Sequence, residues 1–203
     1  MKNILLLGTK SETRKRLLGE CQIPFVLVDQ DADETFCDWG MPLQRLVETI
    51  AVHKMKHIVM PNAQEGDVRF VLTADTLNIS STGKVHGKPK DKQDAINMIK
   101  DMSEGSTIGT AICLDKKIFK HGDWELQQRI VRYSQSFCQL EIPDEWFDRY
   151  FEAAPNALCA SGAYVIDGYG SQFLKRVDGD YSTILGMPTR ILRIALEEIG
   201  FFN

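Results

Sequence analysis

A short apolar run that ends at a glycine and passes into a helix-forming segment limits this chain's fold more than any other feature. Residues 4–7, ILLL, read as a buried strand, and Gly8 marks a turn. A helix is expected through about Glu20, and residues 24–29 read as a second strand. Strand, turn, helix, strand is the opening of an α/β sheet. The same segment holds Lys10, Arg14, Lys15 and Arg16, although the protein's net charge is −4. A solvated helix face accounts for such cations, and so does a phosphate site. Thr9 and Glu12 have capping-box spacing and Ser11 is an alternative N-cap, so the helix start is explained without a ligand.

After Pro42 the residues Leu43, Leu46, Val47, Ile50 and Ala51 follow helical spacing, and Lys54 is next on that stripe. Lys54 is either a snorkelling residue whose stem covers the core or a cation aimed into a cleft. Residues 68–74, VRFVLTA, read as a strand ending at Asp75. Ligand crevices of open α/β sheets lie at strand carboxyl ends, which makes Asp75 a candidate for metal or proton chemistry. Capping the turn into Thr76 is the other account of Asp75. Residues 78–83 read as a turn leading to HGKPK at 86–90, where Gly87 and Pro89 stiffen the loop around Lys88.

Further on, residues 91–102 predict a helix, residues 108–114 a strand, and Gly122 a hairpin turn into a strand over 126–137. Pro143 begins another helix bearing Trp146, Phe147 and Tyr150. Short strands are expected at 163–166 and 173–177, and a last helix starts near Pro188. Hairpins and helical crossovers together predict a mixed central sheet flanked by helices.

With 203 residues, 43% hydrophobic and 26% charged, the chain suits one globular core. No apolar run approaches the ~20 residues of a membrane helix, and no leader peptide is apparent, so a cytoplasmic protein without membrane association is expected. Cys21, Cys37, Cys113, Cys138 and Cys159 are scattered without a C-x-x-C pair and read as reduced, mostly buried thiols. The acidic balance argues against a nucleic-acid partner, while leaving room for a local basic pocket. The histidines show no triad or metal spacing, and no serine or cysteine has nucleophile-elbow context.

Taken in order, several motifs resemble the Maf family of nucleoside triphosphate pyrophosphatases. The family's S-x-S-x-x-R opening is similar to Thr9-Lys10-Ser11-Glu12-Thr13-Arg14, and its acidic residue after the second strand to Glu34. Its A-x-x-K resembles Ala51 to Lys54, its A-D-T resembles Ala74-Asp75-Thr76, and its G-K-P resembles Gly87-Lys88-Pro89. SGAYVIDGYG and VDGDYSTILGMP resemble the closing segments. Two departures stand out. Asp167 occupies a position where many members have Gln and looks more like the branch acting on methylated guanosine triphosphate, whereas A-D-T looks more like the dTTP and UTP branch. Residues 102–111 lack the usual S-G-x-T-H pattern.

The resemblance implies a single Maf-like domain over residues 1–203, with two lobes around a cleft in an inosine triphosphate pyrophosphatase-like fold. It also implies hydrolysis of a nucleoside triphosphate, modified or pyrimidine, to monophosphate and pyrophosphate, with a link to septum formation. A nucleotide-binding regulator that has lost turnover is the alternative. Mg²⁺ or Mn²⁺ is implied, with Asp75 and Glu34 as ligands. Asp75 would orient or deprotonate the attacking water, and Thr9, Ser11 and Arg14 would bind phosphate. Lys54 and Lys88 would complete the anion clamp. Asp167, near the pocket, would either add a metal ligand or raise a neighbour's pKa. A homodimer is implied by the family alone.

Overall fold

The computed structural model describes residues 3–33 and 37–203, so the Glu34 expectation lies outside the described residues. In chain order the elements begin with β1 (Leu5–Leu7), α1 (Glu12–Glu20), β2 (Phe25–Leu27), α2 (Leu43–Lys56), β3 (Val68–Ser80) and β4 (Val85–His86). There follow α3 (Lys92–Asp101), β5 (Ser106–Lys120), β6 (Asp123–Leu140) and α4 (Phe147–Ala153). The chain ends with β7 (Leu174–Asp178), α5 (Tyr181–Ile184) and α6 (Thr189–Glu198). The seven-stranded sheet has the order β2-β1-β3-β5-β6-β7, with β4 paired to β3 off this path. β1 is parallel to both neighbours, Leu5 facing Phe25 and Phe70. Parallel pairing requires crossovers, and α1 and α2 supply them. β4 and β7 are antiparallel to their partners, so the sheet is mixed, as expected.

The chain divides into two compact units. The first comprises Met1–Asp75, Thr110–Ser134 and Gly186–Asn203. Its core includes Leu5, Leu7, Leu18, Leu46, Ile50 and Leu72, all essentially without solvent contact. Each such side chain contributes roughly 1.5–3 kcal/mol through burial. The second comprises Thr76–Gly109 and Gln135–Leu185. There α3 and α4 pack their apolar sides, notably Ile99, Phe147 and Tyr150, with Met102, Leu140 and Phe173.

Three expectations are corrected. β3 does not stop at Asp75 but continues to Ser80, so Asp75 is mid-strand. Asn78, read as a turn residue, is 2% exposed and its Nδ2 donates to Ser161 O at 3.0 Å. A tertiary partner thus outweighs local turn preference. Second, residues 163–166 form no strand. Gly162 (φ 64) and Ala163 (φ 56) turn the chain through the left-handed region. The Tyr150 hydroxyl then donates to Ala163 O at 2.8 Å and accepts from Val165 N at 2.9 Å, replacing a sheet partner. Third, Pro143 leads into a 3-10 turn, Asp144–Trp146, and the α-helix begins only at Phe147.

β5 and β6 are longer than expected, and they meet at His121 (φ 53) and Gly122 (φ 83), two positive φ values as a type I′ hairpin requires. Cys37, Cys113 and Cys138 are buried while Cys21 and Cys159 are exposed, all five as free thiols. Burial pushes the Cys113 and Cys138 thiols up to about 12. No helix among the described residues is long and apolar enough to cross a membrane.

Candidate functional site

Within the first unit, strand periodicity places Thr73 and Asp75 on one face of β3. Both meet α2. Thr73 Oγ1 donates to Ala51 O at 2.8 Å, and one helical turn later Lys54 Nζ donates to Asp75 Oδ1 at 2.6 Å. The threonine thus fixes where α2 lies against β3, and the lysine follows from helical spacing. Lys54 is 8% exposed and Asp75 5%. Lys54 thus does not snorkel to water: its ammonium stays inside, paired with Asp75. Asp75 Oδ2 is buried and has no hydrogen-bond partner among the described residues. A buried carboxylate oxygen without a partner is costly, so this one is a candidate for an incoming ligand.

Arg14 reaches the same strand from α1. β1 ends at Leu7, and Gly8 N donates to Leu72 O at 3.0 Å. The carbonyl of Ala74 faces the same side two residues later, beyond the end of β1. Arg14 Nη1 donates to it at 2.9 Å, and Nε donates to Gly186 O at 2.8 Å. The guanidinium therefore ties α1 to the backbone beside Asp75. A Cβ at Gly8 would sit 2.2 Å from Ile58 Cδ1, so a side chain there would displace the tip of Ile58.

Ser11, the alternative cap, is the actual N-cap of α1. Its Oγ accepts from Arg14 N at 3.4 Å, and Thr9 Oγ1 accepts from Ser11 N at 3.2 Å. Both hydroxyls accept from backbone, which leaves their own protons as donors. Glu12 and Thr13, in the first turn of α1, have amides without intrahelical acceptors. Such a helix start suits an anion. An open pocket of about 370 Å³ lies here, lined by Thr9, Lys10, Glu12, Lys15 and residues 27–30 at and after the end of β2. Asp75, Lys54 and Arg14 do not line it. Lys15 pairs with Glu12 at 2.6 Å and Arg16 with Glu20 at 3.0 Å, in keeping with a solvated face.

In the second unit Lys88 is exposed and Asp167 is half-buried. The backbone just before Lys88 is held by residues 161–162: Ser161 Oγ donates to His86 O at 2.7 Å and Gly162 N to Gly87 O at 2.8 Å. Next to Asp167, Ile166 O accepts from the Tyr181 hydroxyl at 3.0 Å.

Mg²⁺ and Mn²⁺ take hard oxygen ligands, often one or two carboxylates completed by phosphate and water. Asp75 Oδ2 is such an oxygen. No group of three His, Cys, Asp or Glu gathers as a metal cage among the described residues. That donor set fits a cation held largely by a phosphorylated ligand.

Sequence reasoning missed Thr73, whose signal was a polar residue two positions before Asp75 in an apolar strand. It also missed a second buried carboxylate of the first unit. Asp115 on β5 is wholly buried and receives Arg129 Nε and Nη2, each at 2.7 Å. Nothing in the spacing of Asp115 and Arg129 singles out that pair.

The model of the Maf-like protein family matches residues 4–199. The chain belongs to that family. Maf-like relatives named dTTP/UTP pyrophosphatase include one from Hydrogenovibrio crunogenus, 33% identical and aligned over 100% of both chains. Another, from Acholeplasma laidlawii, is 31% identical over 98% of this chain and 97% of its own. A solved HAM1 protein from Coxiella burnetii aligns over 96% of this chain and 99% of its own, with a TM-score of 0.48 and 11% identity, a likeness too distant to carry an inference.

Proposed function

We propose that this protein hydrolyses a nucleoside triphosphate to the monophosphate and pyrophosphate, with dTTP and UTP as its substrates. Family membership and the relatives' names support the reaction class. The observation that carries the reading is the buried Asp75, held by Lys54 through one oxygen and without a partner among the described residues at the other.

In this reading Lys54 fixes the orientation of the Asp75 carboxylate, whose remaining oxygen aligns the attacking water and accepts its proton. The hydroxyl protons of Thr9 and Ser11 and the first-turn amides of α1 bind phosphate oxygens, and Arg14 is assigned to the phosphate site by family resemblance. Lys88 is assigned an anion-binding role and Asp167 a nucleotide-binding role by family resemblance. By family resemblance Asp75 and Glu34 would hold a Mg²⁺ or Mn²⁺ ion, which would neutralise charge on the departing pyrophosphate.

The test is release of pyrophosphate and monophosphate from dTTP, UTP, methylated GTP and deaminated nucleotides, each with Mg²⁺ or Mn²⁺. Turnover fastest on dTTP and UTP, and lost in Asp75→Asn, is expected. Turnover that survives Asp75→Asn overturns the assigned role. Nucleotide binding without product from any substrate replaces the enzyme by a nucleotide-binding regulator. The homodimer implied by the family is likewise a proposal, checked by light scattering.

A further inference from the structure

The reaction proposed above leaves unused a histidine–carboxylate hydrogen bond of the second unit. His86 is 1% exposed, and its Nε2 donates to Asp101 Oδ2 at 2.6 Å. Asp101 is the last residue of α3. His86 therefore fastens the end of β4 to the end of a helix. Its hydrogen bond, with a further one from Ser80, holds the Asp101 carboxyl below its ordinary value against the opposing effect of burial.

The position of this pair matters more than its strength. Two residues after His86 stands Lys88. The chain is anchored on both sides of that lysine: upstream at the His86 side chain and at the carbonyls of His86 and Gly87, downstream by Lys90 N donating to Asp94 Oδ2 at 2.9 Å. Asp91 then caps α3, accepting from Asp94 N at 2.8 Å. Lys88 and Pro89 lie between these anchors, and the Pro89 ring fixes its own φ. Of the upstream anchors, only the imidazole is a side chain that ties the loop to α3.

We infer that His86 is a positioning residue, which through its bond to Asp101 fixes the backbone that presents Lys88 to a phosphorylated substrate. The inference rests on the anion-binding role proposed for Lys88. A misplacement of about 1 Å at such a group costs on the order of 10²-fold in rate.

The experiment is a set of double-mutant cycles measuring kcat and KM on the best substrate, with melting temperature recorded for each variant. His86→Leu and Asp101→Ala, which removes every acceptor at that position, are each made alone and in a Lys88→Ala background. If His86 acts through Lys88, each single variant lowers kcat/KM by about 10- to 100-fold. Each is then silent once Lys88 is gone. Asp101→Ala alters only the partly exposed partner, and it decides the matter if His86→Leu does not fold. Wild-type kinetics in Asp101→Ala, or losses that multiply with Lys88→Ala, overturn the inference. A normal Lys88→Ala enzyme overturns it too, yet leaves the Asp75 reading standing. No turnover in the wild type removes both.

Discussion

Two aspartates are buried in the first unit, and they are served differently. Asp115 meets a guanidinium fork: both carboxylate oxygens are satisfied by Arg129 at 2.7 Å. Asp75 meets an ammonium: one oxygen is satisfied by Lys54 at 2.6 Å and the other by no described residue. Arg presents paired, planar donors that match a carboxylate, whereas Lys is a point charge that engages one oxygen. A closed pair offers nothing further to a ligand. A half-closed pair has its charge held in place and one oxygen available, which is what a base or metal ligand needs.

The comparison is most directly broken at Asp75. Asp75→Asn is expected to lower kcat by about 10²–10⁴-fold, the usual worth of a general base. Its melting temperature should fall less than that of Asp115→Asn, because the amide oxygen still accepts from Lys54. Asp115→Ala leaves Arg129 without its carboxylate and should cost about 3–5 kcal/mol. The activity per folded molecule should be unchanged. If Asp115→Ala instead removes turnover without loss of stability, the division between a structural and a reactive aspartate fails. Both are read by calorimetry beside the pyrophosphate assay.

Legibility followed the same division. Apolar period and turn residues made β1, α1, β2, α2 and α3 readable, and the stripe ending in Lys54 pointed toward the core. What one chain cannot display is which polar residues meet. The Thr73–Ala51 contact fixes the register of α2 on β3, and it joins segments whose sequence spacing carries no signal. Residues 163–166 failed for a sharper reason. AYVI has strand composition, yet its hydrogen bonds go to a tyrosine hydroxyl thirteen and fifteen residues earlier. Asn78 failed likewise, its turn preference overridden by Ser161.

Smaller effects sharpen the picture in the second unit. Tyr150→Phe removes the hydroxyl shared by Ala163 and Val165 and should cost about 1–3 kcal/mol, seen as a lower denaturation midpoint. Asp101 gives an acid signature. A carboxyl depressed in the folded state contributes stability above its ordinary value of 3.8, and the contribution is lost as pH falls through the folded value. The melting-temperature gap between wild type and Asp101→Asn is therefore expected to narrow as pH falls below about 4. A gap that widens on acidification would reverse that sign.

The Tyr150 hydroxyl also makes a clock. The amide proton of Val165 is shielded by a single phenolic oxygen rather than by a ladder of strand neighbours. It can trade for deuterium only when that ring leaves its place among Phe151 and Phe173, with which it makes edge contacts. Local opening governs such exchange. One amide resonance thus times how often the aromatic interior of the second unit comes apart, and comparing it with buried amides of β1 would tell whether the two units loosen together or each on its own schedule.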